Sequence, residues 1–196
     1  MSATLTDEDF ARAARELNVE EAAVRAVAEV EAAGQGFLAD GRPAIRYEAH
    51  IFHGETKGAF ANAKDRRGVA LSSPKWDRSL YGATGAAQHA RYEDARKLDP
   101  DAANKACSWG LFQILGQNHK ACGFDTSQAF VDAMWTGGAG AHLDAFVAFV
   151  KSNNLDGALR AKDWKTFARG YNGPSYAVNK YDTKMASAYA RWKAKR

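Results

Sequence analysis

The sequence predicts a mainly α-helical protein with a small β-hairpin or irregular excursion near residues 35–85. Helical periodicity and capping residues fill the first thirty residues and most of the chain after residue 86. The segment between them alternates turn residues with short apolar runs, which favours loops and short strands. Because 196 residues suffice for one well-cored domain and no linker-like stretch divides them, we expect a single domain over residues 1–196.

Two helices are predicted at the N-terminus. Thr6 is the candidate N-cap of "TDEDFARAAREL", where acidic residues follow the cap. In "NVEEAAVRAVAEVEA", Asn18 is the candidate cap and Glu21 stands three residues later, as in a capping box. We expect a tight turn between the two helices.

The remaining predicted helices follow the turn-rich excursion along the chain. Periodicity predicts them at 86–97, 108–116, 127–134, 138–152, 155–160, 163–169 and 176–194. Long ordered loops on helical scaffolds often build clefts, so we expect the segment 35–85 to border one.

Composition narrows the class of protein. Hydrophobic residues make up 46% of the chain and charged residues 26%, which is typical of a globular domain and argues against long disorder. We expect neither a signal peptide nor a transmembrane segment, because no apolar stretch has the required length. Cys107 and Cys122 are too few for a disulfide framework, and we expect free thiols. A net charge of +4 fits an anionic partner, or only a solvated surface.

Glu31 lies at the end of the second predicted helix, just before a Gly-rich turn at 34–41. Its spacing places it on the apolar stripe of Val24 and Val27, whereas Glu29 points to the opposite side. Apolar neighbours and the partial negative charge of a helix C-terminus both raise the pKa of a carboxyl. A carboxylic acid that stays protonated near neutral pH is suited to donate a proton to a glycosidic oxygen. The alternative is that Glu31 only pairs with Arg42 or Arg46.

Three stretches in order resemble the lysozyme superfamily, in which goose-type lysozymes and soluble lytic transglycosylases share a similar arrangement. The matching parts are Glu31, then Gly110-Leu111-Phe112-Gln113, then Tyr171-Asn172-Gly173-Pro174. Phe112 stands where the related transglycosylases usually carry Met.

The sequence more closely resembles the N-acetylmuramidase domain of phage endolysins. The motifs that carry this resemblance are Val30-Glu31, Gly36-Phe37-Leu38, Gly41-Arg42-Pro43 and Tyr47-Glu48-Ala49-His50-Ile51-Phe52. It covers residues 18–192, nearly the whole chain. Many members of the family also carry a separate cell-wall-binding domain, and we expect none here.

The resemblance implies a lysozyme-like fold and hydrolysis of the β-1,4 bond from N-acetylmuramic acid to N-acetylglucosamine in peptidoglycan. It implies Glu31 as general acid, without a cofactor or metal. Gln113, Tyr171 and Asn172 are the candidate substrate-binding residues, although Tyr171 could instead be a core residue. Glu48 is the candidate second catalytic carboxylate, or it forms a structural ion pair with Arg42, Arg46 or Arg66; Asp40 and Asp65 are weaker candidates.

Other chemistries remain open at this point. The same superfamily arrangement serves lytic transglycosylases, which leave 1,6-anhydromuramoyl ends and need only one glutamate. His50 and His53, flanked by Glu48 and Glu55, could seed a zinc site in an amidase, although their spacing is not His-Glu-x-x-His. A non-catalytic wall-binding module is a third alternative.

The expected partners follow from the same resemblance. We expect the protein to act as a monomer on peptidoglycan glycan strands, to make electrostatic contact with the anionic bacterial surface, and to bind no nucleic acid. Without a signal peptide it would stay in the host bacterial cytoplasm until release to the periplasm and cell wall, for example through a holin pore.

Overall fold

A computed structural model describes residues 2–32 and 36–195. This part of the chain is mainly helical, with a small antiparallel sheet, as the sequence predicts. The α-helices of the described ranges are α1 Asp7–Leu17, α2 Glu21–Glu31, α3 Ala49–Glu55, α4 Ala86–Arg96, α5 Pro100–Lys105, α6 Ser127–Thr136, α7 Gly138–Ser152, α8 Asp156–Ala161, α9 Trp164–Asn172 and α10 Tyr181–Ala194. Short 3₁₀ helices cover Arg78–Leu80, Gly116–Asn118 and Tyr176–Asn179.

The two N-terminal helices form as predicted, with one correction at the turn between them. Thr6 caps α1 in a capping box with Asp9. Asn18 does not cap α2; it ends α1 in the left-handed conformation, with φ of 52°. Asn adopts this conformation at low cost because its short polar side chain bonds locally, so the same residue type serves either helix end. Glu20 precedes α2 instead.

The sheet has three short strands, β1 Ile45–Tyr47, β2 Cys107–Trp109 and β3 Ile114–Leu115, paired in the order β1-β2-β3. Ile45 lies opposite Trp109, which in turn lies opposite Ile114. The helix predicted over 108–116 is therefore wrong, because this segment forms the β2–β3 hairpin. Gly110 and Gln113 both have positive φ, at 67° and 48°, which a right-handed helix does not tolerate.

The excursion is mostly irregular, as predicted, but it contains β1, α3 and two isolated β-bridges, Phe37 to Pro43 and Lys64 to Ala70. Periodicity did not predict α3 and α5, because seven and six residues are too short to show a clear period. Two buried side chains of α4, Gln88 and Arg91, hold the later part of the excursion through its backbone carbonyls.

The helix that carries Glu31 packs against α10 and α1 through its buried residues. The core continues through α7 and α9, where large aromatic side chains such as Phe146 and Phe167 are fully buried. Among the helices described in 2–32 and 36–195, none combines the length and apolar character that crossing a bilayer requires.

Candidate active site

Glu31 is the last residue of α2 and is largely removed from water. Val24 and Val27 are buried on its stripe, while Glu29 is exposed and bonds to Arg191 on α10, as the helical spacing predicts. Loss of hydration raises the pKa of Glu31 to about 7, with smaller lowering effects from Asn172 and the charge of Lys184. A substantial fraction of Glu31 is therefore protonated at neutral pH.

Asn172 holds the Glu31 carboxyl in place. Its side-chain Nδ2 donates a hydrogen bond of 2.9 Å to Glu31 Oε1. Asn172 is the last residue of α9, so the C-terminal ends of α2 and α9 meet at this contact. Because a carbonyl oxygen is a better acceptor than a hydroxyl oxygen, this bond favours the acidic proton of Glu31 on Oε2. Among the described residues Oε2 has no hydrogen-bond partner, which leaves it available to a ligand.

Glu48 follows β1, and within residues 2–32 and 36–195 no arginine forms an ion pair with it. The Tyr81 hydroxyl lies 2.7 Å from Glu48 Oε2 and 3.0 Å from Oε1, and His50 Nδ1 lies 3.5 Å from Oε2. Burial raises the pKa of Glu48, whereas the hydrogen bond from Tyr81 and the charge of Arg46 lower it.

The sequence left open, as an alternative, that an arginine pairs with Glu31 or Glu48, and no arginine of the described residues forms such an ion pair. Arg42 pairs with Asp40 and Arg66 pairs with Asp94, both at 2.7 Å. Both arginines are therefore already paired with other carboxylates.

A cleft runs past both carboxylates. Its first cavity, of about 390 Å³, is lined by Glu31 and Glu48 together with Gln113, Tyr171 and Asn172. Every predicted site residue therefore borders the same cavity. A second cavity of about 1060 Å³ shares Glu31 and Gln113 with the first and extends along the excursion. The volume is ample for an extended ligand, since small-molecule sites typically span about 300 to 1,000 Å³.

Gln113 lies at the tip of the β2–β3 hairpin with its side-chain amide already engaged. Its Nε2 donates to the Gly110 carbonyl at 2.9 Å and to the Ala44 carbonyl at 3.2 Å. The Ser108 hydroxyl donates to its Oε1 at 3.0 Å. These bonds fix the hairpin against β1 and leave an oxygen lone pair for a ligand.

Tyr171 packs in the core and also borders the cleft. Its ring stacks on Phe167 at 5.7 Å and meets Phe146 and Phe149 edge-on, which is a core environment. Its hydroxyl donates to the Phe112 carbonyl at 2.9 Å. The same residue borders the cavity of Glu31, so it packs the wall of the cleft.

The residues that could form a zinc site make contacts with other side chains instead. His53 Nδ1 lies 2.8 Å from the Ser72 hydroxyl, and Glu55 pairs with Lys105 at 3.1 Å. Within 2–32 and 36–195, no three His, Cys, Asp or Glu side chains are grouped to hold a metal ion. Asp65 is buried beside Arg91, at 3.6 Å, and both cysteines are buried free thiols.

Sequence reasoning missed Trp76 and Tyr81, which both border the larger cavity. They lie in "SSPKWDRSLYGATG", which reads only as a loop. Two aromatic residues in a long polar loop are the signal that could have identified them, because glycan clefts use aromatic faces. Residues 34 and 35 of the predicted Gly-rich turn lie outside the described residues.

Comparisons with known proteins show the family of the chain. The N-acetylmuramidase family model matches residues 20–193. A crystal structure of an endolysin of the Burkholderia phage AP3 is 44% identical, with a TM-score of 0.87, over 98% of this chain and 72% of that one. A comparison with curated proteins finds no match. A family match over most of the chain, with the same fold in a relative of this identity, shows that the protein belongs to the N-acetylmuramidase family.

Proposed function

We propose that Glu31 is the general acid with which this N-acetylmuramidase cleaves peptidoglycan. The chain is a glycoside hydrolase of the β-1,4 bond between N-acetylmuramic acid and N-acetylglucosamine, as its family and its endolysin relative support. The observation that carries the assignment is the buried carboxyl with a pKa of about 7 on the wall of the cleft. Its Oε2 donates the proton to the glycosidic oxygen as the bond from that oxygen to C1 breaks.

Glu48 is the base in this proposal. It borders the same cavity as Glu31 and receives the Tyr81 hydrogen bond, which favours its ionised form. The carboxylate removes a proton from a water molecule whose oxygen bonds to C1 of the muramoyl residue. One water is consumed, and the product carries a reducing end.

The substrate-binding roles stay with Gln113, Tyr171 and Asn172. Gln113 offers its amide oxygen to an N–H of the substrate, and Tyr171 forms an apolar wall beside Glu31. Asn172 acts on the acid itself, since its hydrogen bond directs the proton to Oε2. Asn172 is therefore best described as orienting Glu31.

Mass analysis of the fragments released from purified peptidoglycan tests the reaction type. We expect reducing N-acetylmuramic acid ends, one water heavier than 1,6-anhydromuramoyl ends, because Glu48 stands ready to activate water. A digest dominated by anhydro ends would keep Glu31 as the acid but make the protein a lytic transglycosylase. Peptidoglycan incubated with boiled enzyme is the control for spontaneous hydrolysis.

The proposal extends to how the protein meets the wall. Its +4 charge favours contact with anionic bacterial surfaces, an attraction that salt screens over about 8 Å at physiological ionic strength. We propose that residues 1–196 form a single catalytic domain that acts as a monomer. In this proposal it binds glycan strands rather than nucleic acid, and stays in the host cytoplasm until it is released to the wall.

A further inference from the structure

One exposed aromatic residue in the cleft has no role in the proposed chemistry. Trp76 is 59% exposed, the most exposed aromatic side chain among the large hydrophobic residues of the described ranges. It borders the larger cavity together with Glu31. An indole face left open to water in a cleft can bury its area only against a ligand.

Side chains of α4 anchor the loop that carries Trp76. We call residues 73–85 the cleft arm. Arg91 donates to the Leu80 carbonyl at 2.7 Å, and Gln88 donates to the carbonyls of Tyr81 and Ala83 at 2.6 and 2.8 Å. Both donors are buried on α4, so they anchor the backbone of residues 80–83, which includes Tyr81.

The indole ring is oriented by a hydrogen-bonded chain. Trp76 Nε1 donates to the Tyr81 hydroxyl at 2.7 Å, and that hydroxyl donates to Glu48. The two aromatic rings meet edge-on, with centroids 6.2 Å apart. Arg46 lies over the Tyr81 ring on the side of the cleft, at 5.4 Å from its centroid. Since the N–H is already used, the face of the ring is what Trp76 offers to a ligand.

We propose that Trp76 is an aromatic platform for one sugar ring of the glycan strand, on the side of the cleft formed by the cleft arm. A pyranose ring presents axial C–H groups on one face, which pack against an indole face without needing a hydrogen bond. Tyr81 links this platform to Glu48, so a strand seated on Trp76 is positioned relative to the second carboxylate. This inference rests on the proposed function, because it takes the cleft to hold a glycan strand.

The test compares two substitutions that separate the ring from its hydrogen bond. Trp76→Phe keeps an aromatic face and removes the N–H, whereas Trp76→Gln keeps an N–H donor for Tyr81 and removes the face. Both are made in Glu31→Gln, so that bound glycan is not cleaved. Trp135→Gln is the matched control, since Trp135 is an exposed tryptophan on α6 that packs edge-on against His89 and borders no part of the cleft.

The probe is a soluble, peptide-free strand of alternating N-acetylglucosamine and N-acetylmuramic acid, titrated calorimetrically against each variant. We expect Trp76→Gln to weaken binding about tenfold and Trp76→Phe to stay within about threefold of the Glu31→Gln parent. Trp135→Gln should bind as the parent does. Equal melting temperatures establish that the folds are comparable.

Each other outcome overturns the platform proposal or the proposed function. Unchanged binding in Trp76→Gln, with a parent that binds the strand, overturns the platform while the proposed function stands. Weakening in Trp76→Phe alone shows that the hydrogen bond to Tyr81 is what matters, and overturns stacking. Equal weakening in both variants also overturns the platform, because the aromatic face that Trp76→Phe keeps would then not support binding. A loss seen only with peptide-bearing strands assigns Trp76 to the peptide and overturns the sugar platform. A parent that binds no glycan overturns both proposals.

Discussion

Replacing Glu31 by glutamine is expected to lower the rate of cell-wall lysis at least about a hundredfold, the scale of losing general acid catalysis. The glutamine side chain has nearly the same shape, and its carbonyl oxygen still accepts the hydrogen bond from Asn172. It has no acidic proton to donate to the glycosidic oxygen. Loss of turbidity in a suspension of outer-membrane-stripped cells measures the effect.

Glu29→Gln is the matched control, because Glu29 lies two residues earlier on the opposite, exposed side of α2. This variant should lyse cells at close to the wild-type rate. Lysis by Glu31→Gln at a similar rate would contradict the assignment of the acid.

Glu31→Gln is also expected to change the pH dependence of the free energy of unfolding. The pKa of Glu31 is raised from 4.5 to about 7 on folding, so the folded protein binds more protons than the unfolded chain between these values. Ionised Glu31 therefore destabilises the fold: its contribution is absent below about pH 4.5, grows as pH rises, and is complete above pH 7. Glu31→Gln does not titrate and should gain up to about 3 kcal/mol relative to wild type between pH 4 and pH 8.

Glu48→Gln gives the second large effect that we expect, a fall in hydrolysis of about a hundredfold with the melting temperature changed by only a few degrees. Water activation needs a carboxylate, whereas the Tyr81 hydroxyl can still donate to the amide oxygen of glutamine. Release of reducing ends from soluble peptidoglycan fragments measures the rate, and calorimetry measures the stability.

Glu55→Gln is the control for this substitution, because Glu55 ends α3 and pairs with Lys105, and borders neither cavity of the cleft. A drop of several degrees in Glu48→Gln, with a proportionate loss of activity, would make Glu48 a structural residue. A variant normal in both rate and stability would leave Glu48 without a role.

The position of Glu31 could be predicted from the sequence because it depends on local geometry. Helical periodicity alone places it with Val24 and Val27 and away from Glu29, and the structure has this arrangement. The fold class and the family prediction are likewise confirmed, since ordered motifs spread over the whole chain carry them. The catalytic and binding roles of all five candidate site residues stay predictions.

What the sequence could not supply depends on tertiary contacts. Tyr81 reaches Glu48 from 33 positions along the chain, and no local pattern records that pairing. The segment 108–116 looks helical in isolation, yet it pairs with β1 because an unpaired strand edge offers it backbone partners. Asn18 suits either the start or the end of a helix, and in the turn to α2 it ends α1.

Titration of the Glu31 carboxyl tests the central claim most directly. With glutamate side-chain carboxyls labelled with ¹³C, comparison with Glu31→Gln assigns the resonance, and its shift is followed by NMR against pH. We predict a midpoint near pH 7, with kcat/KM on soluble fragments falling as pH rises through the same value, because only the protonated acid is active. A midpoint near 4.5 would contradict the account, since Glu31 would then be ionised at the pH where the enzyme must donate a proton.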